Sequence, residues 1–325
     1  MRFSNVFGFS TLLLALVLGS CTTFEMASAA PPQAHKILVN FSTKAFGTTD
    51  LPMGVYHVPH SQVVITGREV NTGIGESFGL LGVAVEDAII TNANKQGTTK
   101  IKGALDINLT TQARQDTRKF LQNQKPIADK FTLSKNPTLP VLTVKSAVVI
   151  SYVDDDRVRP YVELKATLRN PNSLNQTASF DGPETSKGEM VRGNIIWESR
   201  YFISAGVPKP LTGANSWTAN GGVELKDAVS QDLKKALEFM FTDIASPIPR
   251  TDSELMSVQG YVPYLRWPVK MVAYVLKETG DSIYVVPKVD DALAIAGTHI
   301  MDKSVTTVSK KSANEAPLTL LGQVQ

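Results

Sequence analysis

The sequence predicts an α+β protein: a strand-rich antiparallel sheet with amphipathic helices on one face, followed by a small β-barrel module. Two observations place the main sheet. Residues Val141 to Val153 and Val158 to Leu168 are both rich in β-formers, and Asp154-Asp155-Asp156-Arg157 separates them as a hairpin tip. The third observation is one long helical stripe. Leu225, Ala228, Val229, Leu233, Ala236, Leu237, Met240, Phe241 and Ile244 fall on one side, with Lys226, Asp227, Asp232, Lys234, Lys235 and Glu238 opposite.

The folded body is expected to begin at Lys36, where Ile37, Val39 and Phe41 alternate with less apolar neighbours. GTTDLPMG breaks that strand, and Val63 to Gly67 starts another. Residues 73 to 94 read as a helix packed against the sheet, with Phe78, Leu81 and Val85 on one stripe; Glu76, Glu86 and Asp87 argue against a lipid-embedded span. From Lys100 to Thr110 the period becomes two, with Ile101, Leu105, Ile107 and Leu109 on one side, which predicts a strand. Thr110 or Thr111 then caps a short helix toward Gln124, stopped by Pro126. Pro160, inside the second arm of the hairpin, fits near an edge or at a bulge. Met190 to Ser204 supplies another strand, and Asn220-Gly221-Gly222 sets the start of the long helix.

Ser246-Pro-Ile-Pro249 and the polar residues after it mark a boundary, so residues 36–246 form the α+β domain and 247–260 a linker. Residues 261–310 read as an SH3-like module. Its short strands are Lys270 to Lys277, Ser282 to Pro287, Ala292 to Ala296 and Val305 to Val308, with turns at Glu278-Thr-Gly-Asp281 and Val289-Asp290-Asp291. Residues 311–325 show no period and are expected to be a mobile tail.

Cys21 is the only cysteine in 325 residues. It closes Leu18-Gly19-Ser20-Cys21 directly after an apolar run from Val6, with Arg2 ahead of that run. The run is too short to span a bilayer, and the order of charge, apolar stretch and small residues is that of a cleavable export signal. The string resembles the bacterial lipoprotein signal, whose lipobox places Leu three positions before an invariant Cys. The resemblance covers about the first 25 residues and implies removal of residues 1–20, lipidation of Cys21 and retention on a membrane facing the periplasm. Thr22 stands where retention in the inner membrane of enteric bacteria favours Asp, which makes the outer membrane the expected site. Residues 21–35 read as a lipidated tether, able to hold the body up to roughly 45 Å from the lipid when extended. Beyond this address, the body resembles uncharacterised envelope lipoproteins, with no functional motif matched to a family.

Charge and thiol chemistry exclude several classes. The chain has 33 basic and 30 acidic residues, and such a balance predicts no nucleic-acid partner. With Cys21 acylated no thiol remains for disulfides, thiolate metal sites or cysteine catalysis. Partners are expected to be the membrane, through the lipid, and an envelope protein or glycan.

Four motifs could bear chemistry. GESFG at residues 75–79 matches the G-x-S-x-G nucleophile elbow, with Ser77 as nucleophile, Asp281 or Asp290 as acid, and His299, the last histidine in the chain, as base. The elbow needs a buried strand ending at its first glycine, whereas Glu69-Val-Asn-Thr-Gly-Ile74 precedes it, so an exported serine hydrolase is the alternative reading and catalysis is not the expected one. Gly73, Gly75 and Gly79 have the wrong spacing for a dinucleotide loop, and no cofactor is expected. His57-Val-Pro-His60 brings two imidazoles close, but Pro59 precludes a helical pair and no third ligand is nearby, so a surface turn rather than a metal site is expected. Tyr261, Tyr264 and Trp267 could face a partner or glycan; covering the open end of the barrel is the expected role.

Overall fold

The structure, a computed structural model, describes residues 29–34, 36–44, 46, 56–57, 62–66, 104, 108–170, 195–251, 255–289, 293 and 295–321. It is a mixed α/β protein built on one large open sheet. In chain order the elements are β1 (Ile37–Phe41), β2 (Tyr56–His57), β3 (Val63–Thr66), α1 (Leu109–Asn123), α2 (Lys125–Ala128), β4 (Phe131–Thr132), β5 (Val141–Tyr152), β6 (Arg157–Arg169), β7 (Ile195–Ser204), β8 (Lys209–Pro210), α3 (Val223–Ala245), β9 (Leu255–Gly260), β10 (Val269–Glu278), β11 (Ser282–Pro287), β12 (Thr298–Asp302), β13 (Thr307–Lys310) and β14 (Leu318–Leu320).

The central hairpin forms as the β-rich runs dictate. β5 and β6 pair antiparallel from Val141↔Arg169 to Tyr152↔Val158. The Asp154 carboxylate closes its tip, accepting from the amides of Asp156 (3.1 Å) and Arg157 (2.7 Å) and from Arg157 Nε (2.6 Å). Pro160 lies where β6 changes partner: Tyr161 is the last residue of β6 in register with β7, and β8 pairs with β6 at Arg157 and Val158. A residue without an N–H fits such a gap.

The sheet runs β13-β9-β10-β11-β12-β7-β6-β5-β1-β4. It is mixed, not antiparallel as expected: β1 pairs parallel with β4 and β5, β3 with β5, and β12 with β7. These pairs join segments far apart in sequence, so no local period announces their direction.

α3 begins where three residues take positive φ, Asn220 at 51°, Gly221 at 70° and Gly222 at 72°. At Gly222 a Cβ would stand 2.6 Å from the Ala104 Cβ, so glycine alone permits both the turn and the packing. The predicted stripe is buried apart from the half-buried Ala228, and it shares one core with Leu142, Val144, Val148 and Ile150 of β5 and Val162, Leu164 and Leu168 of β6. Phe131 meets Phe241 edge-on at 4.9 Å between centroids, and Phe239 reaches Tyr284 of β11 at 4.5 Å.

Several expectations are corrected. Of the strand expected over Lys100 to Thr110, the described residues are not in a strand: Ala104 is helical, Asn108 precedes α1, and Leu109 and Thr110 open it. The cap is Asn108, whose Oδ1 accepts from the Thr111 amide at 3.0 Å. Thr110 instead donates its hydroxyl to the Ser42 carbonyl (2.9 Å) and accepts from Gln62 Nε2 (3.0 Å), tying α1 to the sheet. Leu255–Gly260, expected as linker, is β9. In the C-terminal part, the strand placed at Ala292 to Ala296 forms at Thr298–Asp302, while Ile295 and Ala296 fill a separate core with Val258, Met271, Ile283 and Val285. Gly297, at φ 140°, lets that strand run so close to β7 that a Cβ would lie 2.5 Å from the Arg200 carbonyl oxygen. The closing strand forms at Thr307–Lys310 and pairs with β9. Leu318–Leu320, in the expected tail, pairs with Val269–Met271.

The expected tether also meets the body: Trp197 Nε1 donates to the Ala29 carbonyl at 3.3 Å, and Ala34 packs on the main core. Cys21, the 73–94 segment with Ser77, and His60 lie outside the described residues. Among the described residues no helix is long and apolar enough to cross a membrane.

Candidate functional site

The site is built from the face of β6 turned away from α3. Alternation sends Arg159, Tyr161, Glu163, Lys165 and Thr167 to that face, a row that reads in sequence as solvated. Instead Arg159, Tyr161, Glu163 and Thr167 are all buried. A loop from Tyr261 to Pro268, between β9 and β10, covers part of the row. Tyr264, at φ 70°, donates its amide to Ser151 Oγ at 3.1 Å, donates its hydroxyl to the Glu163 carboxylate, and meets Phe202 edge-on at 6.4 Å. Arg266 pairs with Asp155 at the hairpin tip. Tyr261 and Tyr264 therefore cover the polar face of the main sheet rather than the end of a barrel, and the Tyr264 hydroxyl supplies a donor to the buried Glu163.

Most charges beneath the loop are matched diagonally across β6 and β7. Lys165 Nζ lies 3.2 Å from Glu198 Oε1, Thr167 Oγ1 donates to Glu198 Oε2 at 2.9 Å, and Arg200 Nε is 3.6 Å from Glu163 Oε1. Arg159 is the exception. It is 4 % exposed, its guanidinium sits 4.6 Å from the Tyr261 ring centroid, and it forms no ion pair among the described residues. Among the described residues its Nε finds no acceptor, and neither the Tyr161 hydroxyl nor Thr306 Oγ1 has a hydrogen-bond partner.

These three groups border one cleft, closed on its other sides by Tyr261, His299 and Asp302. Burial pushes the Tyr161 hydroxyl up to about 12, with the neighbouring Arg159 charge pulling the other way, so it stays protonated at neutral pH and can donate. The two side chains stand side by side without a hydrogen bond of good geometry. At the floor, His299 stacks on Phe202 at 4.7 Å. Its Nε2 lies 2.7 Å from the Ile295 carbonyl, which can only accept, so that nitrogen carries the proton. Burial lowers the imidazole to about 4, against the pull of that hydrogen bond, and keeps it neutral. The cleft thus offers a cation, two neutral hydroxyls and an aromatic wall, an arrangement suited to binding a small polar group.

Of the residues singled out in sequence, His299 and Tyr261 border this cleft. His57 is placed by its backbone in β2, paired with Val64. Asp281, one candidate acid, is at the β10–β11 turn with Lys235 Nζ 3.2 Å away; Asp290 is outside the described residues. Among the described residues no group of three or more His, Cys, Asp or Glu could hold a metal ion. Arg159 and Tyr161 went unseen because a polar row on a strand signals solvent unless a distant loop covers it. No family model matches this chain, and comparisons with curated proteins and with solved structures return no match.

Proposed function

We propose that this chain is a lipoprotein anchored through Cys21 to a membrane, the outer membrane by preference, facing the periplasm, where it acts by binding, as a component of an envelope assembly. The lipobox string carries the anchor. The observation that carries the binding role is Arg159: a guanidinium 4 % exposed and without an acidic partner among the described residues marks a place where another molecule supplies the charge. The finer architecture belongs to the same reading. α3 and α1 share a core with one side of the main sheet, and strands β9 to β13 enclose a second core, which supports an SH3-like C-terminal module able to present a partner surface.

Binding is preferred to the hydrolase built on Ser77. A general base must accept a proton at working pH, and His299 is buried, neutral to about pH 4 and committed through Nε2 to a main-chain carbonyl. Two experiments test the proposal. Labelled palmitate should enter the wild type and be lost in Cys21→Ala; an unlabelled, freely soluble wild type overturns the anchor. A fluorophosphonate should leave the protein unlabelled; labelling or esterase activity abolished in both Ser77→Ala and His299→Ala overturns the binding role.

A further inference from the structure

We propose that the groove between α1 and α3 binds a neutral, N-acetylated amino-sugar oligomer. The inference rests on the binding role and deepens it by naming a ligand class, at a site separate from the Arg159 cleft. Shape, lining and charge carry it.

The two helices lie side by side and run the same way, since Gln112 meets Ser230 and, further along, Phe120 meets Phe241. Ser230 Oγ donates to Gln112 Oε1 at 3.4 Å and joins the helices at one end of the groove. Among the described residues α1 and α3 border an open space of about 540 Å³. That volume lies in the range of ligand sites and has room for a disaccharide.

The lining is rich in side-chain amides. Asn123 and Gln124 at the end of α1 and Gln231 on α3 are exposed, so their donors and acceptors face water that a ligand can replace. A carboxamide both donates and accepts, and so does the acetamido group of an N-acetylated sugar. Phe120, half-buried, supplies an aromatic surface, and its stacking on Phe241 at 6.4 Å between centroids holds the ring in place. The C–H face of a pyranose is slightly positive and lies favourably on the negative face of such a ring.

Charge and polarity select against other ligands. Lys119 and Lys234 are balanced by Asp116 and Glu238, with Lys234 Nζ 3.9 Å from Glu238 Oε1. A groove without net charge does not draw in a polyanion. A peptide would need apolar pockets for its anchoring side chains, whereas Phe120 is the single apolar side chain among the described residues that line the space. A sugar needs one ring to stack on and polar groups around it.

The test is isothermal titration calorimetry on the full-length protein, in a zwitterionic detergent without a sugar head group, with N,N′-diacetylchitobiose, cellobiose or triglycine. Diacetylchitobiose should bind saturably with a dissociation constant of about 0.1–3 mM, as befits an open site whose long side chains must be ordered. Cellobiose keeps the linkage and replaces each acetamido group by a hydroxyl, and should bind at least about fivefold more weakly. Triglycine should give no saturable heat. The double variant Asn123→Asp/Gln231→Glu preserves side-chain size at two exposed positions and removes both amide donors, and should weaken diacetylchitobiose about tenfold. Phe120→Leu should weaken it about two- to tenfold. Should Phe120→Leu fail to fold, the exposed double variant decides. No saturation with diacetylchitobiose, equal binding of cellobiose, saturable binding of triglycine, or unchanged affinity in either variant overturns the assignment. Palmitate labelling at Cys21 and crosslinking to envelope partners read the anchor and the wider binding role separately, so each can fail without the other.

Discussion

Removing the Arg250 side chain should destabilise this protein more than any single change at its surface, and the reason lies in one buried triad. Asp243, in the last turn of α3, is fully buried, and the Arg250 side chain is 4 % exposed. Asp243 Oδ2 accepts from Arg250 Nη2 at 3.1 Å and from the Tyr201 hydroxyl at 3.0 Å, while Arg250 Nη1 donates to the Ile248 carbonyl at 3.1 Å. Burial, reinforced by the Asp243 charge, holds the Tyr201 hydroxyl well above its ordinary value, so it stays a donor. The triad clamps the end of α3 and the turn after it onto β7. In Arg250→Ala the carboxylate keeps a single neutral donor and no counter-charge, which costs about 3–5 kcal/mol. Tyr201→Phe leaves the ion pair intact and loses one hydrogen bond to a charged acceptor, about 1.5–3 kcal/mol. The double variant Asp243→Leu/Arg250→Met replaces the whole pair by apolar groups of similar volume and should cost far less than Arg250→Ala alone, because no charge is stranded. Urea unfolding followed by both far-UV circular dichroism and tryptophan fluorescence measures the three, with coincident transitions required before free energies are compared. An Arg250→Ala cost below about 1 kcal/mol, or a double variant as damaged as the single one, would refute the reasoning.

Three further outcomes are expected. His299, lowered to about 4 in the fold from an ordinary 6.5, contributes stability that is complete above pH 6.5 and is lost as the pH falls toward 4, by about 3 kcal/mol; His299→Phe, which keeps a stacked ring on Phe202, should flatten that slope in pH-dependent unfolding. Asp232 shows the opposite sign: burial raises it to about 7 against the pull of Lys235, so its contribution is complete below pH 3.8 and lost as the pH rises through 7. Asp232→Asn should therefore stabilise the protein by about 1–2 kcal/mol at pH 8 and have no such effect at pH 4, measured by the same unfolding curves. Gly297→Ala should loosen the contact between β12 and β7, because its Cβ would lie 2.5 Å from the Arg200 carbonyl at a φ of 140°; amide exchange in Thr298–Ile300 should rise by at least about tenfold, and unchanged protection would contradict the close approach.

What the sequence by itself determined is what depends on near neighbours. The hairpin of β5 and β6 follows from two β-rich runs and a tip whose Asp154 side chain closes the turn over three residues. The stripe of α3 and its start at Asn220-Gly221-Gly222 follow from the helical period and from residues that tolerate positive φ. The Leu18-Gly19-Ser20-Cys21 string, which resembles a lipobox, is likewise short and ordered. Tertiary structure decided the rest. Leu109 belongs to an apolar alternation and to the first turn of a helix alike, and the Asn108 cap together with the Thr110 contacts to Ser42 and Gln62 settles it as helix. The parallel pairing of β12 with β7 joins Thr298 to Tyr201 and leaves no local signal. The cleft is the clearest case. Arg159, Tyr161 and Glu163 on alternate positions of a strand look like a solvated face. They become a buried polar site because Tyr264, 101 positions away from Glu163, folds back over them. Side-chain period is a property of a few consecutive residues, whereas which face is covered is a property of the whole chain.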